Sequence, residues 1–102
     1  MEQWTFLTNH AHVLLCIAAD PQMRLRDVAA RVGITERAAQ RIVADLAADG
    51  YLTRTRVGRR NQYEVHGELP FRHPIEQGND ISGLLKLLVD TRGNSEPVTR
   101  AG

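Results

Sequence analysis

The chain has little cysteine and no long apolar run, and each shortage excludes a class of protein. Its single cysteine, Cys16, cannot form a disulfide within the chain, which fits a reducing cytoplasm. The longest apolar run near the start, residues 13–19, is far shorter than the ~20 residues of a membrane span. Glu2 lies where a signal peptide would carry basic residues, so we predict a cytoplasmic protein without a membrane partner.

Groups that carry catalysis or bind metals are also sparse. The sequence has no glycine-rich phosphate loop after a strand, and its acidic residues do not form a catalytic pair. His10 and His12 lie two positions apart, about 200° around a helix, so they do not share a face. Cys16 lies in an apolar segment, where an inert core thiol is the simpler interpretation. We therefore predict no enzyme activity, no catalytic residue, no metal site and no cofactor.

The net charge of +1 hides an uneven distribution. Residues 24–60 contain nine arginines and four carboxylates, a net charge of +5, whereas residues 1–23 and 61–102 each have a net charge of −2. Positive charge confined to one stretch is typical of a protein that binds a polyanion. Because all nine cations are arginine, bidentate recognition of phosphate or guanine is favoured over a diffuse cationic surface.

The middle of that stretch predicts two helices joined by a tight turn. Apolar residues at helical spacing predict a first helix over Leu25–Val32, and Gly33 can adopt the positive φ that ends it. Thr35 is a good N-cap for a second helix over Glu36–Asp49. This pattern is that of a helix-turn-helix.

Alternating residues after the second helix predict a β-hairpin. Its strands cover Tyr51–Val57 and Gln62–His66, joined by a tip of Gly58-Arg59-Arg60-Asn61. The short segment Gln22–Leu25 is a weaker candidate for a third strand. A helix-turn-helix followed by a ribbon with arginines at its tip is a winged helix-turn-helix.

The flanking segments complete the predicted architecture. A supporting helix begins at Thr8 or Asn9 and ends near Ala19. Residues 67–80, rich in proline and glycine, form an extended connection that Phe71 and Ile75 pin to the core. The predicted fold class is α+β and mostly α, with a three-helix core and a hairpin wing in residues 1–66 and an extra C-terminal helix.

That C-terminal helix, within residues 81–90, is apolar on nearly every side. A domain this small cannot bury both flanks of such a helix, so the excess predicts a second subunit. Residues 91–102 are predicted to be a flexible tail. The predicted dimer interface consists of Trp4, Phe6, Ile81, Leu84, Leu85 and Leu88.

Three stretches resemble bacterial winged-helix transcriptional regulators of the MarR-like and ArsR-like families. They are Gly33-Ile34-Thr35, then Ala38-Ala39-Gln40-Arg41, then Leu46–Asp49 followed by Gly50-Tyr51-Leu52. The similarity covers roughly residues 8–66. It implies a dimer on a pseudo-palindromic operator, with Glu36–Arg41 in the major groove and the wing in the minor groove.

The second helix offers base contacts at its N-terminal end. Arg37 and Arg41 are four positions apart and share a face. Arginine pairs with guanine, whereas glutamine, here Gln40, pairs with adenine. Glu36 can accept from cytosine or pair with a neighbouring arginine.

The wing offers contacts of a second kind. Arginines at its tip suit a narrow minor groove or the flanking phosphates. Arg54 and Arg56 are either phosphate contacts or cross-strand partners of Glu64. The predicted DNA contacts are Thr35, Glu36, Arg37, Gln40, Arg41, Arg54, Arg56, Arg59, Arg60 and Asn61.

These features together predict a sequence-specific regulator of transcription. It binds double-stranded DNA, acts as a repressor and assembles as a homodimer. Two alternatives stay open: a winged-helix module that binds acidic protein partners through the same face, and a sensor whose small-molecule effector binds between the terminal helices of a dimer.

Overall fold

The computed structural model describes residues 4–90. In chain order it contains helices α1 (Asn9–Ala19), α2 (Leu25–Val32) and α3 (Glu36–Ala48), strands β1 (Leu52–Val57) and β2 (Arg60–Val65), a 3-10 turn (Pro74–Glu76), helix α4 (Ile81–Leu85) and a π-helical turn (Lys86–Asp90). The predicted winged helix-turn-helix with an added C-terminal helix is confirmed. The predicted tail, 91–102, lies outside the described residues. Within residues 4–90, each helix is too short or too polar to cross a membrane.

Helix α1 begins at a side-chain cap, as the sequence predicts. The Thr8 hydroxyl accepts a hydrogen bond from the backbone N–H of Ala11 at 3.2 Å, which satisfies a donor that the first turn leaves free. The helix ends at Ala19 because the residue before a proline disfavours helical backbone. Its buried residues are Val13, Leu14 and Ile17.

The turn between α2 and α3 depends on a glycine. Gly33 has a φ of 90°, in the left-handed region, and its N–H closes α2 by donating to the carbonyl of Ala29 at 2.8 Å. Thr35 then caps α3, accepting from the backbone N–H of Ala38 at 3.0 Å. Helix α2 has the predicted bounds, whereas α3 ends at Ala48, one residue earlier than predicted.

The core lies where these three helices meet the base of the hairpin. The buried members of its hydrophobic cluster are Val13, Leu14, Ile17, Val28, Ile42, Val43, Leu46, Tyr51, Leu52, Tyr63 and Ile81. Ile81 corrects the sequence analysis, which assigned it to a dimer interface. Its side chain is only 6% exposed, so it stabilises the core of its own chain and is closed to a second subunit.

The connection between β2 and α4 folds back on the domain and carries Ile81 inward. The N–H of Ile81 donates to the carbonyl of Leu69 at 2.9 Å, and the Tyr51 hydroxyl donates to the carbonyl of Pro70 at 2.5 Å. Phe71 packs partly buried against the core, as predicted. The predicted second anchor, Ile75, is wrong: it lies 87% exposed in the 3-10 turn, and Leu69 packs on the core instead.

Helix α4 starts at a carboxylate cap. Asp80 accepts from the backbone N–H of Ser82 at 3.0 Å and also from its hydroxyl. The hydrogen bond from the Ser82 side chain, more than any other influence, holds the pKa of Asp80 below its ordinary value. The regular helix ends at Leu85 and continues as a π-helical turn, so the predicted helix over residues 81–90 is divided in two.

The wing is a two-stranded antiparallel hairpin with a tight turn. Leu52 lies opposite Val65 at its base, and Val57 lies opposite Arg60 at its end. Gly58 opens the two-residue turn with a φ of 64°, the conformation that a type II′ turn requires at that position. The predicted four-residue tip is therefore wrong, because its last two residues already pair with β1.

The predicted third strand over Gln22–Leu25 is also wrong. The sheet within residues 4–90 has two strands, and Leu25 is already the first residue of α2. The preceding loop still contacts the wing, since the N–H of Tyr63 donates to the carbonyl of Pro21 at 3.0 Å.

Replacing Gly33 tests the turn. Gly33→Ala should lower the free energy of unfolding by about 1–2 kcal/mol, because a Cβ is disfavoured in left-handed backbone even though open space surrounds it. Urea unfolding followed by circular dichroism measures the change. The matched control is Gly83→Ala in α4, where φ is ordinary and the space is also open; it should be neutral or stabilising. Equal losses in both variants would contradict this account of the turn.

Candidate nucleic-acid interface

The packing of helix α3 decides which of its side chains face solvent. Its buried row consists of Ala39, Ile42, Val43 and Leu46. Since successive residues are about 100° apart, the side opposite this row is centred on Arg37 and Arg41. Both arginines are exposed. The predicted arginine face of α3 therefore points away from the core.

The two flanks of α3 have different neighbours. Glu36 and Gln40 are on the flank that faces the wing, where they line a cleft described below. Asp45 is on the other flank, which faces α1, and its carboxylate lies 2.9 Å from His10 Nε2. Asp45 is thus paired on the side of α3 away from the wing, whereas Glu36 faces the wing.

Thr35 has a structural role at the start of α3. Its hydroxyl already accepts the hydrogen bond from Ala38 N–H, in the arrangement of an N-cap. The helix begins at Glu36, so free backbone N–H groups and the positive end of the helix dipole lie beside the exposed face. This end of α3 is suited to a phosphate.

The register of the hairpin settles which cross-strand neighbours the wing arginines have. Arg54 lies opposite Tyr63, and Arg56 lies opposite Asn61. Glu64 lies opposite Thr53, and alternate residues of a strand point to opposite faces. The alternative that pairs Arg54 and Arg56 with Glu64 is therefore wrong.

Side chains at the far end of the wing are exposed. Arg54, Arg56 and Arg59 are all open to solvent, and Arg56 Nε donates to the carbonyl of Gly58 at 3.4 Å. Arg59 occupies the second position of the turn and so lies at the tip. Arg60 differs: it is the first residue of β2, and its Nη2 donates to the carbonyl of Gln22 at 2.9 Å.

A cleft of about 410 Å³ lies between α3 and the wing. Of the predicted DNA contacts, it brings together five: Glu36 and Gln40 on one wall, and Arg59, Arg60 and Asn61 on the other. Arg37 and Arg41 do not line the cleft; they are on the exposed side of α3, within about 100° of Gln40 around the helix. The start of α3 and the tip of the wing thus line one cleft, and their contact with DNA stays a prediction.

The third wall of this cleft is not among the predicted DNA contacts, although the sequence analysis considered residues 22–25 as a third strand. It is formed by Gln22, Met23 and Arg24 of the loop before α2, together with Leu25, the first residue of that helix. Arg24 had a signal, since it belongs to the arginine-rich stretch; it lies 3.7 Å from Asp27. Nothing in the sequence indicates a role for Gln22, because the group that Arg60 contacts is its backbone carbonyl.

The charges of this surface are mostly unneutralised. Within residues 4–90, ion pairs join Arg24 to Asp27 and Arg72 to Asp49, and His10 Nε2 lies within hydrogen-bond distance of Asp45. Arg37, Arg41, Arg54 and Arg59 therefore lack an acidic partner in the described part of the chain. Uncompensated arginines on one exposed face attract a polyanion.

The residues predicted for a dimer interface have different exposures. Trp4 and Phe6 are 77% and 92% exposed, and their rings pack edge to face with centroids 5.0 Å apart. Leu84 and Leu85 are half-buried, whereas Leu88 is exposed. Apart from Ile81, each retains apolar surface that a second subunit could cover.

A second groove, of about 330 Å³, runs between the N-terminal segment and the connection. Apolar lining comes from Phe6, Leu14, Phe71 and Leu84, and His10 also lines the groove.

Among the residues described, none of the acidic, histidine or cysteine side chains forms a group of three that could hold a metal ion.

The arrangement of α2, α3 and the hairpin identifies the class of domain. Two helices joined by a left-handed glycine, the second exposing arginines beside a β-hairpin, form a winged helix-turn-helix of the kind that binds DNA. The MarR family model matches residues 5–60, more than half of the chain. The chain belongs to the MarR family, whose members are transcription regulators and not enzymes. The MarR-like resemblance is confirmed, and the ArsR-like one stays a prediction.

A solved structure supports the same assignment. The chain is similar to the PcaV transcriptional regulator from Streptomyces coelicolor, solved in complex with its natural ligand, with 27% identity and a TM-score of 0.52. The match covers 59% of this chain and 45% of PcaV, so the similarity spans less than half of that protein. No curated protein matches significantly.

The cap of α3 can be tested without DNA. Thr35→Ala should lower the free energy of unfolding by about 1 kcal/mol, because Ala38 N–H loses its acceptor. Urea unfolding measures the loss. Thr35→Ser keeps the hydroxyl and should retain most of the stability; a serine variant as unstable as the alanine variant would show that the cap is unimportant.

Proposed function

We propose that this chain is a sequence-specific DNA-binding repressor that binds a pseudo-palindromic site as a homodimer. The amino-terminal half of α3 enters the major groove, and the wing contacts the adjacent minor groove. The observation that carries the proposal is the cleft that the start of α3 lines together with the tip of the wing, with Arg59 on its wall and Arg37 and Arg41 exposed on α3 nearby. The family assignment adds support, because MarR regulators bind DNA.

Base reading is proposed for the outward row of α3. Arg37 and Arg41 are one helical turn apart, so both reach the same stretch of groove. Arginine donates in bidentate geometry to guanine O6 and N7, and Gln40 has the groups to pair with adenine N6 and N7. Glu36 is an acceptor for cytosine N4.

Backbone contacts are proposed for the wing and the start of α3. Arg54, Arg56 and Arg59 are exposed on a thin hairpin, which suits the narrow minor groove and its phosphates. Such contacts fix the protein on the duplex but carry little sequence information. They make the affinity depend strongly on salt.

Dimerisation is proposed through the apolar ends of the domain. MarR regulators typically act as dimers. The exposed Trp4 and Phe6, together with the less buried leucines of the C-terminal segment, provide apolar surface outside the cationic face. A two-fold dimer presents two recognition helices, which is the reason for a pseudo-palindromic site.

Arg41 tests the reading face. Arg41→Ala should weaken binding to the selected operator by about 1–3 kcal/mol by removing a base contact, and should weaken binding to unrelated duplex less. The operator comes from selection in a random duplex pool, and fluorescence anisotropy measures affinity. Arg72→Ala is the matched control, because it removes the same charge from beside Asp49, at the far end of α3. Equal effects of the two variants would reject the reading face, and no duplex binding by the wild type at low salt would favour a protein-binding module.

Phe6 tests the dimer. Phe6→Ala should shift the sedimenting species towards monomer without lowering stability, because the ring is almost fully exposed in the single chain. Analytical ultracentrifugation across micromolar concentrations measures the shift. Ile75→Ala removes an equally exposed apolar side chain that is not part of the predicted interface, so it should leave the dimer intact. A wild type that is monomeric throughout would refute the proposed assembly.

A further inference from the structure

We infer that Arg60 is a positioning residue, which fastens the wing to the loop before α2 and so fixes the angle at which Arg59 meets DNA. The inference rests on the proposed function and changes the role that the sequence suggests for Arg60. An arginine beside the tip looks like a second phosphate contact. In the structure it binds the protein itself.

The contact joins parts of the chain that are far apart in sequence. Arg60 Nη2 donates to the backbone carbonyl of Gln22 at 2.9 Å, across 38 residues. Three residues further along β2, the N–H of Tyr63 donates to the carbonyl of Pro21 at 3.0 Å. Two hydrogen bonds thus attach the outer edge of β2 to neighbouring carbonyls of one loop.

The acceptor loop is itself held in place. The Asp20 carboxylate accepts from the N–H of Gln22 at 3.1 Å, and the Asp20 carbonyl accepts from the N–H of Met23 at 3.0 Å. This turn leads directly into α2, which packs on α3. The carbonyl of Gln22 is therefore held in one position, in the cleft that α3 also lines.

The outer half of the wing needs such a contact. Leu52 and Tyr63 bury the base of the hairpin, but residues 53–60 are all exposed. A two-stranded hairpin without a packed face is only marginally stable. Thr53 Oγ1 lies 2.6 Å from His66 Nε2, next to the base of the hairpin. Among the side-chain hydrogen bonds of the described residues, the one from Arg60 is therefore the link between the outer half of the wing and a segment remote in sequence.

The turn geometry separates the roles of the two adjacent arginines. Arg59 is in the turn and has no partner among the hydrogen bonds and ion pairs of residues 4–90, so its guanidinium is available to a phosphate. Arg60 begins the strand and directs one nitrogen to Gln22. A planar guanidinium holds its donors in fixed directions, which suits a positioning contact better than a lysine would.

Hydrogen exchange of the free protein tests the fastening without DNA. In Arg60→Ala, the amide of Tyr63 should exchange faster by roughly tenfold, because the loop and β2 separate more often. Arg59→Ala should leave that rate unchanged. Amides of Val13 and Ile17 in the core report whether each variant stays folded. Unchanged protection at Tyr63 in Arg60→Ala would overturn the inference.

The salt dependence of DNA binding tests the role itself. Arg59→Ala should reduce the slope of log affinity against log salt by about 2 for the proposed dimer, because each protomer loses one phosphate contact. Arg60→Ala should weaken binding to the selected operator severalfold with an unchanged slope, and Arg60→Lys, which keeps the charge, should weaken it too. A slope reduced as in Arg59→Ala, or full rescue by lysine, would make Arg60 a phosphate contact and overturn the inference. If the wild type binds no duplex, the proposed function fails, and the exchange rate at Tyr63 still decides whether Arg60 fastens the wing.

Discussion

The structure depends on the burial of one row of side chains along α3. Ile42, Val43 and Leu46 pack into the core that α1 and α2 provide, and this burial fixes the rotation of α3 about its own axis. Removing such surface from water is the main favourable term in folding. A helix that turned by about 100° would bury charged side chains, Arg41 and Asp45 in one sense or Glu36 in the other. The hydrophobic contact therefore also determines which face is cationic.

That single rotation distributes the polar residues among three neighbours. Arg37 and Arg41 face solvent, Gln40 faces the wing, and Asp45 meets His10 of α1. Asp45 is therefore paired on the flank away from the cleft, whereas Glu36 is the acidic side chain that lines it. The uneven charge of the sequence becomes an uneven charge on the surface.

The wing is less firmly held than α3, and its position depends on polar contacts. Leu52 and Tyr63 bury its base in the core. Its outer half contacts the loop before α2 through hydrogen bonds. Backbone carbonyls of that loop, at Pro21 and Gln22, supply the acceptors. A MarR-family domain that reads DNA with both helix and wing needs the two at a set distance, and this loop bonds the wing and lines the same cleft as α3.

The sequence by itself determined the elements whose signals are local. Thr8 and Thr35 cap their helices through residues three positions away, Gly33 ends α2 by its own backbone freedom, and the period of α3 separates the buried row from the arginines. Only the tertiary structure decided the partner of Arg60 and the burial of Ile81, because each depends on a segment brought near by folding. Every residue has a backbone carbonyl, so the sequence does not indicate which one accepts the hydrogen bond from Arg60. An apolar residue gives the same sequence pattern whether it is buried in its own core or in a dimer interface.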